Sequence, residues 1–404
     1  MNFLQTFRKR SELQPGVPAL IDHCFSGDRV LSYSSLNRLV DYLSFQLREQ
    51  QIKPGDRILL AQDAGQEMCG YLLAALQIGA IPIIYQQNGS HKEFVTWVKM
   101  LHPHACVVRR EKWVGCHFDA AFKAIPKKVF IGQMRSQARW LRLGKLGVVE
   151  ERLPDSVALV SLVSDDSGKF SMCSWSQKQL ELSIQLFFAH LKLKAGEIDL
   201  CQTPLQLLAN LAAGLTSVMA ERSSPLALRS VERRVEKFKP TRIAGESSLV
   251  RWLLRKHSSP LHKVFITDAP LDAEAIDYFN RHAQHANIEL LFCSELPLAS
   301  LALRSYERKD HTSLVGNFFP GIKAKIIPDE ITTTSDALST TEPNVLGELV
   351  IKSEFLPSRQ TVPTEQLLQG LDQPASNGTW YSPGVHGYLD DQNRFWLVKR
   401  AARD

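Results

Sequence analysis

Along the first third of the chain, apolar positions alternate between two spacings. Leu36, Leu39, Val40, Leu43 and Leu47 recur every three or four residues, the period of one face of a helix. Ser34 or Ser35 stands where a helix cap is expected. The turn Lys53-Pro54-Gly55-Asp56 ends that helix. Arg57 to Leu60 then predicts a short buried strand. Glu67 to Ile78, rich in Leu and Ala, predicts the next helix, and Ile81 to Tyr85 the next strand. Strand, helix and strand at this spacing imply a parallel sheet with crossover helices.

The alternation continues. Ala105 to Val108, Lys128 to Ile131, Val157 to Val160, Lys263 to Ile266 and Glu289 to Phe292 are short apolar runs that predict strands. Gln177 to Leu193, Arg229 to Lys239 and Leu249 to Lys256 predict helices. From about Val315 the pattern changes. "GIKAKIIPDE", "GELVIKSEFL" and "NRFWLVKR" are short strands between turn residues, as in a small β module. The polar run Asp329 to Asn344 is expected to be a surface loop, and there are no internal repeats. The fold class is therefore α/β. Residues 1–314 are expected to form two sheet-and-helix subdomains that divide near 155–200, and residues 315–399 a small β module.

Composition narrows the function. Of 404 residues, 44% are hydrophobic and 22% charged, ordinary for a globular protein. The net charge of +6 is spread over small clusters at Arg8–Arg10, Arg109–Lys112 and Arg233–Lys239. A nucleic-acid reader concentrates such charge with aromatics on one face, so no nucleic-acid partner is expected. The seven cysteines contain no CxxC pair, which argues against a zinc site and a dithiol motif. Their odd number suits a reducing compartment. No apolar run reaches the roughly 18 residues that span a bilayer. The start, "MNFLQTFRKRSELQPG", is too poor in apolar residues for a secretory signal and reads as an ordinary N-terminal helix. The expected location is cytoplasmic.

The stretch Ser161–Ser176, "SLVSDDSGKFSMCSWS", looks like an altered phosphate loop. Such loops use small residues so that backbone N–H groups can approach the oxygens. Asp165 and Asp166, however, place two negative charges where a triphosphate would lie.

Several landmarks occur in a fixed order: "ALID" (Ala19 to Asp22), "LSYSSL", "IKPGDRILL", the loop above, "ITDAPLDAEAIDYF", "FCSE" ending at Glu295, "VGNFFPGIKAKII", "GELVI" and "GTWYSPGVHGYLDDQNRFWLVKR". This ordered set resembles the adenylate-forming superfamily of acyl-CoA synthetases, peptide-synthetase adenylation domains and luciferases, over nearly the whole chain. The resemblance implies the large N-terminal domain of that fold. It also implies chemistry in which ATP and a carboxylic acid give an acyl-adenylate, whose acyl group then passes to a thiol. Residues 400–404 would be a hinge remnant, and the family's C-terminal lid would be absent, lost by truncation or carried on another polypeptide.

Matched to the family's motifs, the ATP contacts are altered. In the phosphate loop Ser164, Ser167 and Gly168 fit, Ser171 replaces the Lys, and Lys169, two positions earlier, offers a partial substitute. Asp165 replaces a Gly. A carboxylate about 5 Å from one phosphate charge is repelled by about 3 kcal/mol at an effective dielectric of about 20. In the magnesium motif Ser294 keeps the hydroxyl and Glu295 the metal-binding acid, but Leu291 and Phe292 replace the aromatic–Gly pair. In the ribose motif Val385 replaces the Asp that grips the ribose hydroxyls, and Val cannot accept their hydrogen bonds; Arg400 matches the second ribose contact. Gln206 or Leu207 stands where the family has a histidine.

The resemblance implies an acyl pocket walled by Leu249, Val250, Trp252, Leu253, Ile266, Leu291 and Phe292, with Trp252, Ile266 and Leu291 as its substrate-facing residues. The expectation is a degenerate member with weak or no ATP-dependent activation. It would bind a small carboxylic acid or acyl thioester, or a partner such as an acyl carrier or synthase protein. No catalytic residue is assigned. The alternative is an active, divergent acyl- or aryl-adenylating ligase using ATP and Mg²⁺ with a separate lid. A cavity is expected near Trp252 and Ile266, with a closed nucleotide side.

Overall fold

A computed structural model describes residues 3–24, 27–60, 65–85, 91–109, 120–131, 147–164, 170–220, 225–255, 259–293, 296–309, 311–329, 339–361, 380 and 382–398. The chain opens with helix α1 (Phe3–Leu13), strands β1 (Pro18–Cys24) and β2 (Gly27–Ser32), and helix α2 (Tyr33–Glu49). There follow β3 (Arg57–Leu60), α3 (Gln66–Gln77), β4 (Ile81–Tyr85), α4 (His91–Leu101), β5 (Ala105–Arg109), α5 (Ala120–Ala124) and β6 (Lys127–Ile131). The hairpin β7 (Val157–Ser164) and β8 (Phe170–Ser176) leads into α6 (Gln177–His190), β9 (Ile198–Cys201), α7 (Pro204–Ala213), β10 (Thr216–Met219) and α8 (Pro225–Phe238). Next come β11 (Arg242–Gly245), α9 (Ser247–Leu254), β12 (Lys263–Ile266), α10 (Ala273–His282) and β13 (Asn287–Cys293). The rest is strand: β14 (Pro297–Ala302), β15 (Arg308–Lys309), β16 (Thr312–Phe318), β17 (Lys323–Pro328), β18 (Gly347–Lys352), β19 (Ser358–Thr361), β20 (His386–Leu389) and β21 (Arg394–Val398).

The described strands form two sheets. The first has the order β19-β8-β7-β4-β3-β5-β6. Its central strands are parallel, with Arg57 opposite Ile81, as the spacing of residues 57–85 implies. The second has the order β17-β18-β20-β21-β16-β14-β13-β12-β11-β9-β10-β1-β2, with β15 beside β16. Its parallel part runs from β1 to β13. The strands after residue 315 are continuous with it, because β14 pairs with β16 through Ala299 opposite Phe318. Strand β19 instead crosses to the first sheet and pairs with β8, Arg359 opposite Cys173.

Side-chain alternation sorts the core into layers. Ile58 and Leu60 of β3 face a central core shared with α2, α3 and α7, whereas Leu59 faces an outer core with α4 and α5. In the second sheet Ala244, Phe265 and Leu291 face the central core; Ile243, Val264, Ile266 and Leu290 face an outer core with α8, α9 and α10. The order is thus helix, sheet, helix, sheet, helix. Helix α1 belongs to the central layer. It buries Phe3, Leu4 and Phe7, each worth about 1.5–3 kcal/mol, and Arg8 holds Asp41 of α2 at 3.0 Å.

Two local expectations are corrected. The cap of α2 is Ser32, which accepts the Ser35 N–H; Ser34 and Ser35 lie inside the helix, because the buried Tyr33 already belongs to its first turn. And "FSMCSWS" is a strand, antiparallel to β7 with Ser164 opposite Phe170. Ser171, aligned with the family's loop Lys, therefore lies in a ladder opposite Val163 and Thr361.

Candidate functional site

The candidate site lies where the parallel strands of the two sheets end. In open α/β sheets ligands bind at the carboxyl ends of strands. A cavity of about 340 Å³ is lined there by Gln202 and Thr203 after β9, Ala244 and Glu246 at the end of β11, Thr267 and Asp268 after β12, and Leu291 and Cys293 of β13. The first sheet contributes Ile84, Leu159, Ser161 and Trp175, and α6 contributes Phe187. The volume is near the small end of the range for ligand pockets, roughly 300–1,000 Å³. A larger open hollow of about 520 Å³ lies beside α1, lined partly by Glu151, Arg152, Lys178 and Glu181. Its mixed charges and distance from the strand ends make it the weaker candidate.

Helix starts shape the cavity floor. Thr203 caps α7 by accepting the Gln206 N–H, and Pro204 fills the first helical position, where a missing N–H costs nothing. Asp268 accepts from the Ser247 backbone N–H at 2.8 Å and from its hydroxyl at 2.5 Å, placing a negative charge at the start of α9. Among the described lining residues there are two carboxylates, Glu246 and Asp268, and no basic side chain. Burial, and secondly the nearby Asp268 carboxylate, push the Cys293 thiol up to about 12.

Gln206, one of the two residues at the family's histidine position, is engaged in structure. Its amide donates to Asp199 at 2.7 Å and accepts the Gln202 N–H at 3.1 Å. Leu207 is fully buried. Asp199 also accepts from Asn210 at 2.6 Å and pairs with Arg242 at 3.3 Å. Burial pushes the Asp199 carboxyl up, against the pull of Arg242 and the amide donors. This network ties β9, β11 and α7 together beneath the site.

The three residues expected to face substrate do not meet. Leu291 lines the cavity. Ile266 points into the outer core, because the next residue along a strand faces the other way; its neighbours Thr267 and Asp268 reach the cavity instead. Trp252 packs against that same outer core from α9, with the Arg255 guanidinium 3.4 Å from its ring centroid. The cavity is thus on the opposite face of the second sheet from Trp252 and Ile266. Of the residues expected to contact a nucleotide, Ser167, Gly168, Lys169, Ser294, Glu295 and Arg400 lie outside the described residues, as do Asp165 and Asp166. The backbone of Ser164 ends β7.

Phe292, at the position where the resemblance put the nucleotide, is buried with its ring centroid 5.9 Å from that of Phe395, which in turn lies 5.8 Å from Phe318. Val385 packs against the central core, and its carbonyl accepts the Leu349 N–H. Ser382 donates to Glu348 and accepts the Gly384 N–H at 2.9 Å.

The family model of the AMP-binding enzymes matches residues 7–143. The inhibitor-bound N-terminal domain of FACL13 from Mycobacterium tuberculosis superposes with a TM-score of 0.80, covering 99% of this chain and 100% of that one at 14% identity. The chain has the adenylate-forming fold. Unliganded O-succinylbenzoate coenzyme A synthetase (MenE) from Bacillus subtilis gives a TM-score of 0.76 over 98% of this chain and 79% of its own, at 14% identity. Enterobactin synthase component E of Escherichia coli K12 is 29% identical over 85 residues, 21% of this chain. That match spans only 16% of the relative's length. The adenylate-forming resemblance read from the ordered landmarks agrees with both the family model and the architecture, which is that of the large N-terminal domain. Among the described residues no helix is long and apolar enough to cross a membrane.

Proposed function

We propose that the protein binds a small acyl or aryl group, as a carboxylic acid or its thioester, in the cavity between the sheets without activating it with ATP. The observation that carries the reading is the contrast between the two halves of the site. The strand ends keep a mostly apolar cavity of about 340 Å³, while Phe292 and Val385 bring apolar bulk to the positions where the family contacts the nucleotide. The two acidic lining residues favour a neutral thioester over a free carboxylate, because a buried anion without a partner is costly. That the N-terminal domain of FACL13 was solved with an inhibitor bound supports ligand binding by a large domain alone. An acyl carrier or synthase protein would then present or receive the thioester.

Calorimetry with Mg-ATP is expected to give a dissociation constant of about 1 mM or weaker, roughly −4 kcal/mol or less, and pyrophosphate exchange with a panel of acids is expected to be silent. Short acyl and aryl thioesters are expected to raise the melting temperature, with no further rise on adding Mg-ATP. Micromolar ATP affinity with acid-dependent exchange would overturn the reading. It would favour the second one, a divergent acyl- or aryl-adenylating ligase, for which the family-model match is the supporting observation.

A further inference from the structure

The outer face of strands β17 and β18 sets lysines against one another. The strands are antiparallel, with Lys323 opposite Lys352, Lys325 opposite Val350 and Ile327 opposite Glu348. Successive side chains of a strand point to opposite faces. Ala324, Ile326, Leu349 and Ile351 belong to the central core, so Lys323, Lys325 and Lys352 lie on the other face. Lys323 is exposed, and Lys325 and Lys352 are half-buried. Directly opposite residues stand about 5 Å apart at Cβ, and like charges there are destabilising.

The described carboxylates in and beside these strands do not offset that repulsion. Glu348 accepts the Ser382 hydroxyl, Asp329 lies 3.4 Å from His386, and Glu354 pairs with Lys178 of α6 at 3.0 Å. Among the described residues, the group that meets a lysine of this set is the Trp380 ring, its centroid 5.0 Å from Lys325 Nζ. The free edge of β17 is also engaged: Ile326 exchanges both backbone hydrogen bonds with Thr340 at 2.8 Å. A partner therefore meets the side chains of this face at Ile326 rather than adding a strand there.

We propose that this face docks on a membrane surface rich in anionic lipid. Lipid phosphates supply the negative charge that three ammonium groups on two neighbouring strands lack. Lysine meets a phosphate as a point charge, whereas paired recognition of a protein carboxylate favours the fork of arginine, and neither β17 nor β18 contains an arginine. A tryptophan beside an ammonium suits the headgroup layer, where an apolar body and a wet end are both accommodated. Leu346, just before β18, is 46% exposed and adds apolar surface at the far end of the pair. Each lysine contributes modestly, so the contact is weak, reversible and screened by salt. It does not depend on what the cavity holds, and the two readings fail separately.

The test is co-sedimentation of the full chain with vesicles of phosphatidylcholine alone and of equal parts phosphatidylcholine and phosphatidylglycerol. At low salt the mixed vesicles are expected to bind the protein and the neutral ones not, and binding should fade as salt rises. Lys323→Gln, Lys325→Gln and Lys352→Gln should each weaken it about fivefold, and the triple variant should abolish it. A control removes the same number of charges at Lys53, Lys123 and Lys194, which are exposed elsewhere, and should bind as the native protein does. Melting curves check folding. Lys323→Gln and Lys352→Gln should leave the melting temperature level or raise it, because each relieves the cross-strand repulsion. If the mixed vesicles do not bind, if the folded triple variant binds like the native protein, or if the control loses as much, the assignment falls. Binding of poly-glutamate through these lysines, with none to the mixed vesicles, would give the face to an acidic protein instead.

Discussion

Cys293 lines the cavity, and its surroundings disfavour its thiolate. Burial and then the Asp268 carboxylate raise its thiol to about 12, so at pH 8 only about one molecule in ten thousand carries the thiolate, which is the reactive form. Alkylation of Cys293 by iodoacetamide at pH 8, followed by peptide mass spectrometry, is expected to run roughly a thousandfold slower than for a free cysteine. Rapid labelling would mean that the carboxylate and the burial act differently in solution. Individual residues were unevenly legible in the sequence. Leu291 could be assigned to the cavity because it opens the stretch that resembles the family's magnesium motif. Ile266 and Trp252 were expected beside it but pack in the outer core, because both faces of the second sheet are apolar and covered by helices. In such a sheet the apolar run does not reveal which side faces the ligand. Trp175 and Gln202 belonged to no motif; a tryptophan in an apolar strand reads as core, and its place in the cavity wall becomes visible only in three dimensions.

At the scale of elements, the ion cluster under the second sheet makes stability depend on pH. Glu197 pairs with Arg242 at 2.8 Å and with Lys263. Burial alone would raise its carboxyl, but Lys263 and Arg242 outweigh it and hold the group below its usual 4.5. A depressed folded value means the contribution is present above about pH 4.5 and is lost as pH falls through the folded value. Asp390, held below its usual 3.8 against burial by Trp396 and Arg394, adds a loss of the same sign at lower pH. The melting temperature is therefore expected to be nearly level in these groups' contribution from pH 7 to 5 and to fall below about 4.5. Glu197→Gln should cost about 1.5–3 kcal/mol at pH 7, and its deficit against the native protein should shrink in acid. A constant deficit across that range would remove Glu197 from this role. Elements with a regular apolar period, α2, α3, β3 and β4, were readable within a few residues. The hairpin β7–β8 was half-read: its first strand is a continuous apolar run, but Ser171, Ser174 and Ser176 dilute its second, which is a strand because β7 and β19 flank it on both sides.

At the scale of the whole molecule, the ordered landmarks were enough to indicate the large-domain architecture, because each marks a strand end or turn that the fold requires. Connectivity between sheets was not legible: nothing in "SRQT" announces that β19 joins the first sheet, and nothing in "ALID" that β1 lies beside β10. That second pairing carries a consequence for synthesis. Leu20 sits opposite Ser217 and Ile21 opposite Val218 in a parallel ladder. A ribosome adding about 5–20 residues per second needs about 10–40 s to travel from one partner to the other. During that interval β1 has only β2 along one edge, and the face of Ile21 lacks the outer core, Leu200, Val218 and Val231 among it, that later covers it. Nascent chains arrested before Thr216 are expected to stay protease-sensitive at β1 and to be retained by holdase chaperones, whereas chains arrested well past Met219 should become protected. Protection of the shorter chains would mean that the N-terminal strands find shelter before their permanent neighbour has been made.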